Sequence, residues 1–212
     1  MIKHSSYPQR TFFKKAVPAV FAAAVACLTG ISSQAVLPAG MTDARRPAGI
    51  DDETVGIMGM MEGYSTGMTA PERLKLAGVI VEESVRRGID PVFMVAIIKT
   101  ESAFFSRARS TRGALGLMQI RTATARYLAD ELDIAWEGEA TLYDPYTNVR
   151  MGIHYFSTLL DRYGADKAKA LAAYSMGPSS LTERLKGAET VPTVYGDRVF
   201  LHYRNLKGRA GI

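Results

Sequence analysis

The sequence holds one cysteine, Cys27, so no disulfide can form within the chain. If that residue is removed with an N-terminal export segment, the remainder carries no thiol and is indifferent to an oxidising compartment. Histidine is nearly as scarce, with three in 212 residues. His154 and His202 lie in helical surroundings without ligand spacing, so no metal and no cofactor is proposed. Long apolar runs are missing too. AVPAVFAAAVACLTGI, residues 16–31, is shorter than the ~20 residues that a spanning helix needs, and no other stretch comes as close. No run alternates apolar and polar residues as a half-buried strand does, and no segment repeats. Acidic residues are absent from residues 1–35, which contain Lys3, Arg10, Lys14 and Lys15. Beyond them, 22 basic residues face 21 acidic ones. The pI of 9.3 therefore owes much to the first 35 residues and gives no ground for a nucleic-acid partner.

What is present begins with that basic edge. Lys14 and Lys15 precede the apolar stretch, and Ser33-Gln34-Ala35 offers small residues for cleavage, so residues 1–35 read as a signal peptide. Composition favours cleavage near Ala35. The alternative is lipidation at Cys27, which follows Ala24-Val25-Ala26 but lacks a leucine three residues earlier. Contact with a membrane is expected only through this signal segment or such a lipid. Residues 36–69, rich in Pro, Gly, Met and charge, read as a linker or N-terminal extension. A hydrophobic share of 47% supplies a core for the rest, residues 70–212.

That remainder reads as helix after helix. Thr69 can cap a first helix with Pro71 and Glu72 in its first turn and Leu74, Leu76, Ile80, Val81 and Val85 on one face. Asp90 and Pro91 open a second, which carries Phe93, Met94, Ile97 and Ile98. A third covers residues 122–132. Asp144-Pro145 starts a long one that ends at Gly164, another runs from Asp166 to Ser175, a short one follows Gly177-Pro178, and the last extends from near Pro192 to Lys207. The fold class is mainly α, with at most minor β.

Glu101 is the odd residue. Ile98, Ile97, Met94 and Phe93 precede it by three, four, seven and eight positions, so the carboxyl extends an apolar stripe. Lys99, two residues away, points elsewhere. Burial without a charge partner raises a carboxyl pKa, and a carboxyl kept neutral near pH 7 can act as a general acid. Periodicity alone leaves the bland alternative open, a glutamate marking where a helix end meets solvent.

The residues around it narrow the choice. Glu101-Ser102-x-Phe104 is followed by Ala108-x-Ser110-x-x-Gly113-Ala114-x-Gly116-Leu117-Met118-Gln119. Downstream come Asp144-Pro145-x-x-Asn148 with Gly152 and Tyr155, then residues 171–178, LAAYSMGP, then Pro192-x-x-Tyr195 with Arg198, Val199 and Tyr203. In this order the four motifs resemble the soluble-type lytic transglycosylases, whose catalytic domain is similar to goose-type lysozyme. The resemblance covers about residues 75–207.

The resemblance implies an exported, periplasmic enzyme acting on peptidoglycan glycan strands, with no partner protein indicated. Such enzymes cleave the β-1,4 link between N-acetylmuramic acid and N-acetylglucosamine. Glycoside hydrolysis normally shares the work between two carboxylates, whereas this family uses one. By resemblance Glu101 protonates the leaving oxygen and then takes the proton of the muramic acid C6 hydroxyl. That hydroxyl attacks C1 of its own sugar and gives a 1,6-anhydro end. The tethered attack needs no positioned water. Ser110 and Gln119 match positions that hydrogen-bond substrate. Leu117 and Met118 are expected as an apolar wall near Glu101, and Tyr174 as part of the groove or its support. Tyr195 matches a tyrosine whose hydroxyl lies near the glutamate. Gly113 and Gly116 are expected to let the loop turn sharply and approach the sugar.

The sequence departs from the family pattern twice. Ser175 stands where asparagine is usual, and a serine cannot both donate and accept through an amide. Arg121-Thr122 stands where many members have Met-Pro, so Arg121 is either a helix-start residue facing water or a modifier of a sugar subsite. Glu137, Glu139 and Asp144 near Trp136 are further carboxyls, explained more cheaply as caps and solvated loop charges. The rival functions are a lysozyme-like hydrolase on the same fold and a glycan-binding envelope protein without turnover.

Overall fold

The computed structural model describes residues 51–187 and 190–211. The expected signal peptide with Cys27, and residues 36–50 of the expected linker, lie outside the described residues. Nine helices and one two-stranded sheet occur among those described. In chain order they are α1 Asp52–Gly59, α2 Ala70–Arg86, α3 Pro91–Ser102, β1 Ala114–Leu115, β2 Ile120–Arg121, α4 Thr122–Glu131, α5 Glu139–Tyr143, α6 Pro145–Arg162, α7 Lys167–Met176, α8 Pro178–Lys186 and α9 Val194–Ala210.

Local chemistry sets most of the helix starts. The Asp90 carboxylate accepts from the Val92 amide at 2.8 Å, with Pro91 at the first helical position of α3. Asp144 does the same for α6 through Thr147 at 2.7 Å, and Asp166 for α7 through Lys169 at 3.1 Å. At α2, Thr69 and Glu72 form a reciprocal capping box.

The core is organised around α3. Every residue from Pro91 to Ile98 is buried. The helix is thus enclosed on all sides and not on one stripe, as the sequence had suggested. Phe93 sits 5.8 Å from Phe156 of α6, 5.8 Å from Phe200 and 5.4 Å from Tyr203 of α9, ring centre to ring centre. Tyr203 also donates to the Asp90 carboxylate at 2.6 Å, and Lys207 lies 3.4 Å from it, so α9 is fixed to the start of α3.

Two expectations need correction. Residues 51–69, expected as part of a linker or N-terminal extension, are packed and not a linker, which leaves the extension: Ile57 of α1 and Met61 after it are 1% exposed within the core. The alternation of methionine and glycine hid this helix, because glycine weakens a helical signal. On α2 the buried face is Leu76, Ala77, Ile80, Glu83 and Ser84, while Val85 is 60% exposed. Glu83 can lie inward because Arg87 and Arg150 both pair with its carboxylate. Arg87 continues to His154, which lies 3.1 Å from the Glu131 carboxylate, so His154 serves a polar link between α4 and α6.

Candidate active site

Glu101 lies in the last turn of α3, where the enclosed helix reaches the surface. Two successive left-handed residues, Ala103 at φ 48° and Phe104 at φ 66°, end the helix, and Phe104 is fully buried with its ring 4.9 Å from Tyr64. The apolar length of α3 thus ends in one partly buried carboxyl. Tyr195, in the first turn of α9, donates its hydroxyl to Glu101 Oε1 at 2.5 Å. Burial holds the Glu101 pKa above the usual carboxylate range, while the Tyr195 hydrogen bond and the positive charge of Arg198 oppose that rise. The expected direction is present. The expected lack of a charge partner is not, because α9 brings Arg198 near, and a separation of ninety-seven positions hid it from local spacing.

The glycine-rich stretch after α3 is a small hairpin. Ala114 pairs with Arg121 and Leu115 with Ile120, antiparallel. The Ser110 hydroxyl oxygen accepts the Ala114 amide at 3.0 Å and the Arg112 amide at 3.3 Å, closing the turn. The underside is held by Asn148 of α6, which is fully buried. Its amide donates to the carbonyls of Leu115 and Leu142 at 3.0 Å each, and its Oδ1 accepts the Met118 amide at 2.8 Å. Gly116, at φ 75°, is where these parts meet: a Cβ there would overlap the Asn148 side chain and the Leu142 carbonyl. The close approach it permits is therefore to α6 and not to a sugar. Gly113, at φ 75°, has nothing within 4 Å of such a Cβ, so its left-handed backbone and not a close contact calls for glycine.

A cleft of about 630 Å³ runs between this hairpin and α7–α8. Glu101 is the one carboxyl among the described residues lining it. Ser110 and Gln119 line the hairpin side, and Tyr155, Tyr174 and Ser175 line the helical side. Gln119 has a left-handed backbone, φ 49°. Its Nε2 donates to the carbonyls of Gly116 at 2.9 Å and Ala108 at 3.2 Å, which meets the need of a glutamine placed between apolar neighbours. Tyr174 donates to the Met118 carbonyl at 2.8 Å and stacks against Tyr155 with ring centres 5.5 Å apart, so it both faces the cleft and braces the hairpin. Ser175 is exposed and donates to the Ala172 carbonyl of its own helix at 3.1 Å.

Leu117 and Met118 are not cleft walls. Both are 0% exposed and neither lines the cleft. Met118 instead packs onto Gly152 of α6, where any side chain would overlap its sulfur and Cβ. A turn with buried backbone partners points its apolar side chains into the core, and the sequence motif does not display that orientation. Tyr195 reaches Glu101 but is not part of the cleft lining either.

The remaining carboxyls are spent elsewhere. Glu139 pairs with Arg109 at 2.7 Å, Asp144 caps α6, and Glu137 is exposed. Arg121 is exposed at the start of α4, and it also lines the cleft, so its two sequence readings describe one position. Local motif reading singled out neither Arg112 nor Arg184, which line the same cleft. His202 carries a lowered pKa from burial and from Lys99 and Arg198. No group of three or more His, Cys, Asp or Glu among the described residues could hold a metal ion. No helix among them is long and apolar enough to cross a membrane.

Comparison with known proteins supplies the context. The transglycosylase SLT domain family matches residues 78–193. The chain is similar to the soluble lytic murein transglycosylase of Salmonella typhimurium, 33% identical over 93 residues, covering 43% of this chain and 14% of that protein. It is also similar to a transglycosylase of Enterobacteria phage PRD1, 34% identical over 128 residues, covering 60% of this chain and 43% of the phage protein. Among solved structures it resembles an inactive glutamate-to-glutamine mutant of the lytic transglycosylase Slt from Pseudomonas aeruginosa, with 29% identity and a TM-score of 0.51 over 63% of this chain and 23% of that one. The chain thus spans less than half the length of each of these relatives.

Proposed function

The chain belongs to the transglycosylase SLT domain family, and from that premise we propose that it is a peptidoglycan lytic transglycosylase with Glu101 as its catalytic residue. The observation that carries the proposal is the isolation of Glu101: one carboxyl among the described residues lining the cleft, with burial favouring its proton and a tyrosine hydroxyl fixing its orientation. Among the described residues lining the cleft, a two-carboxylate hydrolysis lacks its second member. A single group that first gives and then regains a proton does not need one.

In the proposed reaction the Glu101 proton passes to the glycosidic oxygen as the bond to C1 of N-acetylmuramic acid breaks. The substrate's acetamido group steadies the positive charge at C1. The C6 hydroxyl of the same sugar bonds to C1, and its proton returns to Glu101, leaving the enzyme unchanged and a 1,6-anhydro end. Ser110, Gln119, Tyr174 and Ser175 are the proposed contacts to sugar. The Ser110 oxygen is occupied by backbone amides, which leaves its hydrogen for an acceptor on the glycan. Leu117 and Met118 act from beneath by holding the hairpin, and Tyr195 acts through Glu101. The proposed location is the periplasm, reached by export through residues 1–35, with residues 70–212 as the catalytic domain.

The test is digestion of purified peptidoglycan by the protein and by Glu101→Gln, with the products resolved by mass spectrometry. The proposal expects 1,6-anhydro ends from the wild type and none from the variant. Hydrated reducing ends would make the protein a hydrolase. Binding without release of muropeptides by either form would make it a glycan-binding protein.

A further inference from the structure

The cleft is more basic than a neutral sugar chain requires. Arg112 stands in the Ser110–Ala114 turn that leads into β1, Arg121 opposes Ala114 on β2, and Arg184 comes from α8. Glu101, held toward its neutral form, is the one carboxyl among the described lining residues. The guanidinium groups of Arg112 and Arg121 have no hydrogen-bond or ion-pair partner among the described residues, whereas nearby Arg109 pairs with Glu139 and Arg150 with Glu83. Arg109 and Arg150 are thus matched with acids, and the two arginines in the cleft wall are not. A guanidinium presents a planar fork of donors suited to a carboxylate. Arg112 and Arg121 are exposed, so each can meet such a group without leaving water.

We propose that Arg112 and Arg121 form a carboxylate-recognition site beside the cleavage point, which binds acid groups carried by the muramic acid side arm of the substrate. This rests on the peptidoglycan reading given above. Sugar hydroxyls and acetamido groups are neutral, so the muramic acid side arm supplies the anions: the carboxylates of the stem peptide, or the bare lactyl carboxylate once that peptide has been removed. The chemistry is the same for both, and the two sources are separable by substrate. The site selects among strands by what they carry and leaves the proton transfers at Glu101 as described.

Binding is measured by calorimetry with the full-length Glu101→Gln protein, which keeps the cleft without turning substrate over. Three glycan oligomers of one length are compared: with stem peptides, with the stem carboxylates converted to amides, and with the peptides removed to leave lactyl carboxylates. The expected result is a Kd about 3- to 10-fold lower for the peptide-bearing oligomer than for its amidated form, the range for two solvated ion pairs. That ratio shrinks in higher salt. It falls toward one in Arg112→Gln/Arg121→Gln and is largely kept in Arg112→Lys/Arg121→Lys, with circular dichroism and melting unchanged. If the peptide-free oligomer also binds more tightly than the amidated one, the lactyl carboxylate is a recognised group. If only the peptide-bearing oligomer does, the stem is. Equal affinity for all three oligomers overturns the inference and leaves the enzymatic reading intact. Binding of none of them overturns both, and a ratio unchanged in the double glutamine variant overturns the assignment to these arginines.

Discussion

Replacing Tyr195 with phenylalanine deletes one oxygen and with it the hydrogen bond to Glu101 Oε1 at 2.5 Å. That bond favours the ionised carboxyl, against the burial that favours the neutral one. The Glu101 pKa in Tyr195→Phe therefore rises further. A hydrogen bond to a charged group is worth about 1.5–3 kcal/mol and one to a neutral group about 0.5–1.5 kcal/mol. Their difference, about 1–1.5 kcal/mol, corresponds to a rise of about one pH unit. In the proposed reaction the first chemical step needs the proton on Glu101, so activity is expected to fall as pH rises through its pKa. In Tyr195→Phe that descending limb moves about one unit upward, while the maximal rate drops because the carboxyl is less well aimed. Release of muropeptides measured across pH reads the limb, and the carboxyl ¹³C shift of Glu101 reads the titration directly. Arg198→Gln moves the limb the same way by a smaller, salt-dependent amount, because Arg198 is exposed. A limb that stays put, or moves to lower pH, in Tyr195→Phe refutes the reasoning.

Three further predictions concern stability. The folded pKa of Glu101 lies above its unfolded value, so the stability that the neutral acid provides is full below the unfolded pKa and is lost as pH rises through the folded one. Glu101→Gln does not titrate, so its Tm gains on the wild type as pH rises from the unfolded pKa of Glu101 through the folded one, at about 2–4 °C per kcal/mol; a difference independent of pH would contradict this. Asn148→Ala removes the side-chain partner of three buried backbone groups, at about 1–3 kcal/mol each, and urea unfolding should show a loss of about 3–9 kcal/mol. Gly152→Ala gains about 1 kcal/mol in helix propensity, yet the new methyl overlaps Met118, so denaturant titration should show a net loss of about 1–2 kcal/mol.

Much of the fold could be read along the chain, because its controlling interactions are local. Asp90, Asp144 and Asp166 each bond an amide two or three residues ahead, and proline fixes the first turn of α2, α3, α6 and α8. Such signals do not depend on what the helix later packs against. Helix α1 escaped because its glycines and methionines give a weak periodicity, and its place is decided by the burial of Ile57 and Met61. The hairpin escaped for a different reason. Its four strand residues are too few to show alternation, and its shape is held by Asn148, about thirty positions away.

The sequence by itself determined the candidate proton carrier. An apolar helix ending in Glu101 is written in consecutive residues, and the desolvation that raises its pKa follows from that helix being buried. The tertiary structure alone decided which groups surround it. Tyr195 and Arg198 arrive from α9, and Arg184 of α8 joins Arg112 and Arg121 in lining the cleft. It also turned Leu117 and Met118 inward, because the backbone they belong to is bonded to α6. Helix starts obey forces that act over a few residues, whereas the field and the walls of a cleft are sums over chain segments that only packing brings together.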